Sequence, residues 1–188
     1  MGTPATQLVL DSRRLEAVFA RCFSRSENTV LAGGAAEPVY QPAEDARSPH
    51  RLFYREDFFS SALHEVAHWC IAGKERRALP DFGYWYAPQG RSEAEQRAFE
   101  AVEVKPQALE WFFSIACGCR FRVSVDNFTE DGELPDTLPF CQQVATQAYR
   151  FRDRGLPQRA LQFFHALTDE FNTSVDLRTL AFDARELY

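Results

Sequence analysis

The chain contains 188 residues, of which 45% are hydrophobic and 26% are charged, and its formal net charge is −6. A chain of this size is expected to form one domain, residues 1–188, whose core is large enough to fold without disulfides. The composition excludes collagen-like and intrinsically disordered chains. The acidic balance argues against a sequence-independent nucleic-acid binder, which needs a basic surface to neutralise phosphates, so we expect no nucleic-acid partner.

Apolar runs and cysteines indicate the cellular compartment. The longest nearly uninterrupted apolar run, Trp111 to Cys119, is far shorter than the roughly 20 residues that cross a bilayer, so no membrane partner is expected. The N-terminus lacks the basic and apolar pattern of a signal peptide. The five cysteines are odd in number and scattered, which favours reduced thiols. Together these patterns predict a cytoplasmic protein.

The first part of the chain predicts two helices and two short strands. The first helix, with Asp11 or Ser12 as its N-cap, follows from apolar residues at helical spacing: Leu15, Val18, Phe19, Cys22 and Phe23. Strands are expected at Thr29–Leu31 and Arg51–Tyr54, in a region interrupted by glycines and prolines. A second helix is expected over Phe58–Ala72, with Asp57 as its N-cap.

The third predicted helix contains a proline. It begins with a capping box formed by Ser92 and Glu95. Pro106 should bend it or split it in two, because proline lacks an N–H group and clashes with the preceding turn. The helical pattern then resumes as far as Cys117.

The last part of the chain predicts a strand followed by helices. Apolar and polar residues alternate over Phe121–Val125, which is typical of a half-exposed strand. Helices are expected at about Thr137–Arg152 and Pro157–Phe171, with a weaker one over Asp176–Arg185. The whole pattern predicts an α+β fold that is rich in helix, with a small sheet.

The second helix contains the motif HExxH, formed by His64, Glu65 and His68. Four residues correspond to about 400° of helical rotation and about 6 Å of rise, so both imidazoles can reach one metal ion. The apolar face of this helix is centred elsewhere, on Phe59, Leu63, Val66 and Cys70. The two histidines therefore face solvent or a cleft that another element closes.

A stripe of carboxylates on the third helix offers a further metal ligand. Glu100, Glu103, Gln107 and Glu110 share one helical face. An open metal site with two histidines requires a third ligand from a separate element. Glu103 is the preferred candidate because it lies just before the proline, and Glu100 and Glu110 are the alternatives.

An aromatic run between these two helices is a candidate pocket wall. It contains Asp81, Tyr84 and Tyr86. Core packing is one interpretation of this run. The other is a substrate-binding wall that shapes a long or cationic side chain, with Asp81, Glu100 and Glu110 as the anions near the motifs.

Two histidines and one carboxylate support two kinds of metal chemistry. With zinc, a bound water becomes the nucleophile and Glu65 serves as the general base of peptide hydrolysis. With ferrous iron, the same ligands leave positions for molecular oxygen and substrate, which supports hydroxylation. A metal-free interaction domain is the third interpretation. The ligand types alone do not separate these possibilities.

Two long segments carry a resemblance to a known family. The first is Ala62–Arg91 (ALHEVAHWCIAGKERRALPDFGYWYAPQGR) and the second is Phe99–Trp111 (FEAVEVKPQALEW). Both segments resemble the bacterial elongation factor P hydroxylases. The resemblance covers most of the chain and is weakest in the first ten residues and the final tail. These strings are much more specific than HExxH alone.

The resemblance implies a function and a set of site residues. The family hydroxylates a lysine of elongation factor P that already carries β-lysine, using non-haem Fe(2+) and molecular oxygen. His64 and His68 match the metal-binding histidines and Glu103 matches the glutamate ligand. Glu65 also matches a family position, as a candidate catalytic residue whose role the resemblance does not fix.

Overall fold

The computed structural model describes residues 10–81, 91–125 and 137–187, and they form an α+β fold rich in helix, as predicted. Five α-helices and three β-strands lie in these ranges. The helices are α1 (Ser12–Phe23), α2 (Phe59–Ile71), α3 (Glu93–Ala116), α4 (Leu138–Arg154) and α5 (Gln158–Phe171), and the strands are β1 (Thr29–Ala35), β2 (Val39–Gln41) and β3 (His50–Arg55).

The three strands form one small sheet with β3 in the centre. β1 pairs with β3 in parallel, with Leu31 opposite Leu52, and β2 pairs with β3 antiparallel, with Tyr40 opposite Leu52. Sequence analysis predicted shortened forms of β1 and β3 and missed β2. A strand of three residues between Pro38 and Pro42 is too short to show an alternating pattern.

The helix that carries the HExxH motif begins one residue later than predicted. Phe58 occupies the N-cap position of α2 and provides no side-chain cap, so the prediction of Asp57 as N-cap is wrong. The other end of α2 is held by Arg159 of α5. Its Nη2 donates to the carbonyl oxygens of Trp69, Cys70 and Ala72, at 2.9, 3.2 and 2.5 Å. A guanidinium at this end also complements the negative end of the helix dipole.

The third helix runs without interruption through Pro106, so the prediction of a split is wrong. Its capping box is confirmed, because Ser92 N donates to Glu95 Oε2 at 2.8 Å and the Ser92 side chain accepts from Glu95 N. A proline inside a helix costs about 3 kcal/mol. The turns that follow bury Leu109, Phe112 and Phe113 completely, and this burial offsets the lost hydrogen bond.

The segment Phe121–Val125 has no regular secondary structure, so the prediction of a strand is wrong. Its alternation of burial is as expected, with Phe121 and Val125 buried. Its hydrogen bonds do not come from a neighbouring strand. Ser124 N donates to the side chain of Gln107 at 3.1 Å, and Val123 N donates to the carbonyl oxygen of Leu187 at 3.3 Å.

The C-terminal part agrees with the sequence except at its end. The predicted bounds of α4 and α5 lie within two residues of the observed ones. The weak helix predicted over Asp176–Arg185 is wrong, because two short 3₁₀ helices, Leu177–Thr179 and Ala184–Leu187, take its place. The five cysteines form no disulfide with one another, as expected for reduced thiols.

The buried side chains of the described residues form one cluster that includes residues of every α-helix. Phe19, Phe23 and Trp69 pack in edge-to-face and tilted contacts at its centre, with ring centroids 4.8–5.0 Å apart. Within the described ranges, the helices are all too short or too polar to cross a membrane.

The apolar face of α2 is confirmed at three of its four predicted positions. Leu63, Val66 and Cys70 are buried, but Phe59 is only partly buried and makes one edge contact with Phe171. We expect Leu63→Ala to lower the free energy of unfolding by about 2–5 kcal/mol and Phe59→Ala by about 1–3 kcal/mol. Urea denaturation of both variants would test this ranking, and a larger loss for Phe59→Ala would contradict the position of α2.

Candidate metal centre

The packing of α2 against α3 brings three candidate ligands to one point. His64 and His68 lie one turn apart on α2, and Glu103 faces them from α3. The Nε2 atoms of the two histidines are 3.1 Å apart. Glu103 Oε1 lies 3.1 Å from His68 Nε2, and Glu103 Oε2 lies 3.4 Å from His64 Nε2. Within the described chain, these three residues form a candidate metal-ligand cluster, since their donor atoms all lie within 4.8 Å of one another.

These distances fit a single metal ion. Metal–ligand bonds of about 2.1 Å at right angles place neighbouring donor atoms about 3.0 Å apart, and tetrahedral angles place them about 3.4 Å apart. The observed separations of 3.1, 3.1 and 3.4 Å fall in this range. Three protein ligands leave further coordination positions open. The donor set therefore suits a catalytic ion better than a structural one.

Glu110 holds the imidazole of His64 from its other side. Glu110 Oε2 lies 2.8 Å from His64 Nδ1. A carboxylate at this distance favours the proton on Nδ1, so Nε2 is the nitrogen left to face His68 and Glu103. Glu110 is 8% exposed, which limits competition from water for this hydrogen bond. Its position makes it an orienting partner of a ligand.

The electrostatics of the site favour a cation between the carboxylates. Burial disfavours the charged form of His64, yet the hydrogen bond to Glu110 and the charges of Glu110 and Glu103 raise the pKa of His64 to about 10. Burial likewise opposes the charge on Glu103, but the hydrogen bond from His68 and the charges of both histidines lower the pKa of Glu103 to about 2. In the metal-free protein, the protonated imidazole of His64 thus supplies the positive charge that balances the carboxylates of Glu103 and Glu110.

Gln107 links the site to the segment that covers it. Its Nε2 donates to Glu103 Oε2 at 3.3 Å and to the carbonyl oxygen of Ser124 at 2.7 Å, while its Oε1 accepts from Ser124 N. One side chain therefore fixes both the Glu103 carboxylate and the backbone of Ser124. Sequence analysis placed Gln107 on the carboxylate stripe but gave it no role. Gln107 is buried on a helical face that otherwise carries carboxylates. This burial indicates its role, and it could not be predicted from the sequence.

Two cavities meet at His68 and Glu103, and the first of them also reaches His64. They measure about 310 and 330 Å³. Both are lined by Glu65, His68, Phe99 and Glu103, so these four residues lie at their junction. The site is therefore approached from two sides.

The two cavities differ in character. The first adds polar groups to the junction, among them Ser61, Gln107 and Arg122. The second adds an apolar wall that contains Leu52, Ile71, Val102 and Pro106. An apolar wall that ends at charged groups suits a long aliphatic arm with a polar end.

The other predicted site residues fall in several places. Asp81 lines the second cavity and pairs with Arg76 at 2.8 Å. Glu100 lines neither cavity and accepts from the Gln96 side chain at 3.0 Å. Tyr84 and Tyr86 lie outside the described residues, so their substrate-binding role stays a prediction.

Glu65 lies at the junction of the cavities and does not belong to the metal-ligand cluster. Burial raises the pKa of its carboxyl above the ordinary value. Its predicted catalytic role is therefore compatible with its position, and its chemistry depends on what enters the cavities.

The fold and the site define a class of protein: a helix-rich α+β enzyme candidate with a 2-His-1-carboxylate donor set on two packed helices. A family model described as elongation factor P hydroxylase matches residues 18–182. A protein of Haemophilus influenzae named elongation factor P lysine hydroxylase is 48% identical over 167 residues, which cover 89% of this chain and 93% of that protein. The chain therefore belongs to the elongation factor P hydroxylase family.

The hydrogen bond between Glu110 and His64 generates a prediction about metal affinity. Glu110→Ala should weaken the binding of a divalent metal about 10- to 100-fold, because the His64 ring loses its orienting partner. Glu110→Gln should weaken it less, since its amide oxygen can still accept from Nδ1. Metal titration followed by calorimetry would measure both effects.

Glu100→Ala is the matched control, because it removes a carboxylate from the same helix outside both cavities. Its metal affinity should equal that of the unaltered protein. A large loss for Glu100→Ala together with none for Glu110→Ala would contradict the assignment of the orienting role.

Proposed function

We propose that this protein hydroxylates a lysine side chain of elongation factor P, in the form extended with β-lysine, and that it uses Fe(2+) and molecular oxygen. Membership of the family and the name of the Haemophilus influenzae relative support the substrate and the reaction type. The observation that carries the metal dependence is the convergence of His64, His68 and Glu103 within 4.8 Å. A translation factor as substrate implies that the reaction takes place in the cytoplasm.

The three converging residues would hold the ion. A ferrous ion in such a donor set supplies activation of molecular oxygen for insertion into a carbon–hydrogen bond. The residues of the chain itself orient and shield this site. Glu110 fixes the His64 ring, Gln107 fixes the Glu103 carboxylate, and burial of Glu103 and Glu110 keeps bulk water from these contacts.

The second cavity fits the arm of the proposed substrate. Lysine extended with β-lysine is a long aliphatic chain that carries two amines. The apolar wall of Leu52, Ile71, Val102 and Pro106 can contact its methylene groups. Two carboxylates, Glu65 and Glu103, line this cavity together with the cations Arg76, Arg77 and Lys105. The carboxylates favour a positively charged group of the arm.

A zinc-dependent hydrolase is the second candidate. The observation that favours it is the position of Glu65 beside the ligands in an HExxH helix, where a general base of peptide hydrolysis is expected. Membership of a hydroxylase family argues against it. The two functions differ in the metal they need and in whether oxygen is consumed.

The proposed reaction is tested by intact-mass spectrometry. Elongation factor P carrying β-lysine is incubated with the iron-loaded protein, oxygen and ascorbate, which supplies the two electrons that convert the second oxygen atom to water. We expect a gain of one oxygen atom. His64→Ala, His68→Ala and Glu103→Ala should each abolish it, because each removes a proposed ligand.

The same variants should fold, because the three side chains line the first cavity and are not part of the apolar core. Circular dichroism at matched concentration would serve as the control. A normal mass gain with His64→Ala or His68→Ala would contradict the metal assignment. Peptide cleavage without oxygen would favour the zinc hydrolase, and stability unchanged by chelators with no bound metal would favour a metal-free interaction domain.

A further inference from the structure

Four carboxylates among the described residues line the two cavities, and they are not equally available to a ligand. They belong to Glu65, Asp81, Glu103 and Glu110. A cationic substrate group that enters an enclosed site needs a negative partner there, because an unpaired buried charge is strongly disfavoured. The contacts that each carboxylate already makes show which of them can serve.

Three of the four carboxylates are already paired. Glu103 contacts the Nε2 atoms of His68 and His64, at 3.1 and 3.4 Å. Glu110 contacts His64 Nδ1 at 2.8 Å. Asp81 pairs with Arg76 at 2.8 Å. Each would have to give up a charged partner before it could receive another cation.

Glu65 is in a different situation. No described residue donates a hydrogen bond to its carboxylate or forms an ion pair with it within 4.0 Å. It nevertheless lies at the junction of both cavities, next to the candidate ligands His64 and His68. It is therefore the carboxylate of the described site that can receive a cation without losing a partner.

We propose that Glu65 binds an ammonium group of the substrate arm, so that its role in this family is recognition of an amine and not activation of water. The proposal rests on the proposed function, in which the arm carries two amines. Hydroxylation of a carbon–hydrogen bond does not need the general base that peptide hydrolysis needs. The HExxH glutamate is thus free to take the recognition role.

The pairing also has a chemical consequence for the open metal positions. A free amine has a lone pair and can bind a metal ion, whereas an ammonium group has none. A neighbouring carboxylate stabilises the charged form of the amine. Glu65 would therefore keep the nitrogen of the arm protonated and off the metal, which leaves a carbon of the arm to react.

The test is a binding cycle with the anaerobic, iron-loaded protein, in which no turnover occurs. The probes are elongation factor P carrying β-lysine and elongation factor P carrying a hexanoyl group on the same lysine, which has the same carbon chain without amines. Dissociation constants are measured for the unaltered protein, Glu65→Gln, Glu65→Asp and Asp57→Asn. Asp57→Asn is the matched control, because it neutralises an exposed carboxylate that lines neither cavity.

We expect Glu65→Gln to weaken binding of the β-lysine form about 10- to 100-fold, the effect of losing one charge-assisted hydrogen bond. Its affinity for the hexanoyl form should equal that of the unaltered protein. Glu65→Asp should keep part of the preference for the amine form, since it keeps the charge on a shorter side chain. Asp57→Asn should bind both forms normally, and equal melting temperatures should confirm that all variants fold.

Four outcomes would overturn the proposal. If Glu65→Gln weakens both forms equally, its role is structural. If it keeps the full preference for the amine form and only turnover falls, Glu65 handles a proton or water. If the unaltered protein hydroxylates its substrate but does not prefer the amine form, the assignment of Glu65 as the ammonium-binding residue is wrong while the proposed function stands. If it neither binds nor hydroxylates elongation factor P carrying β-lysine, both are wrong.

Discussion

The packing of α2 against α3 is the constraint on which the site depends. It buries Glu103, Gln107 and Glu110 on one face of α3, where charged side chains are rarely buried unless they are paired. Their partners are the two histidines of α2 and the backbone of Ser124. The buried polar groups therefore form hydrogen bonds and ion pairs with one another across the interface. The same geometry brings three donor atoms close together.

The rest of the fold holds this interface in register. Arg159 caps the C-terminal carbonyls of α2 and stacks over Trp69, so the helix is fixed to α5 at the end nearest His68. On the other side, Gln107 ties the backbone of Ser124 to α3. Ligands on rigid helices are positioned more precisely than ligands on loops, which suits the proposed metal site.

Much of the fold could be predicted because it depends on local periodicity. The helical spacing of Leu15, Phe19 and Phe23 identifies α1 without any tertiary information. The errors occur where tertiary contacts override the local pattern. The helix continues through Pro106 because the residues beyond it are buried. Phe121–Val125 does not form a strand, and the side chain of Gln107 bonds its backbone at Ser124. Neither the burial beyond Pro106 nor the hydrogen bond between Gln107 and Ser124 can be inferred from the local sequence pattern.

The candidate site shows the same limit more sharply. Glu103 and Glu110 lie two turns apart on one face of α3, so a helical wheel gives them equal claims to be the third ligand. The structure separates them through His64, since Glu103 faces its Nε2 and Glu110 its Nδ1. Only Glu103 of this pair also reaches His68, at 3.1 Å. The second histidine thus decides which carboxylate can share a metal ion and which can only orient a ligand.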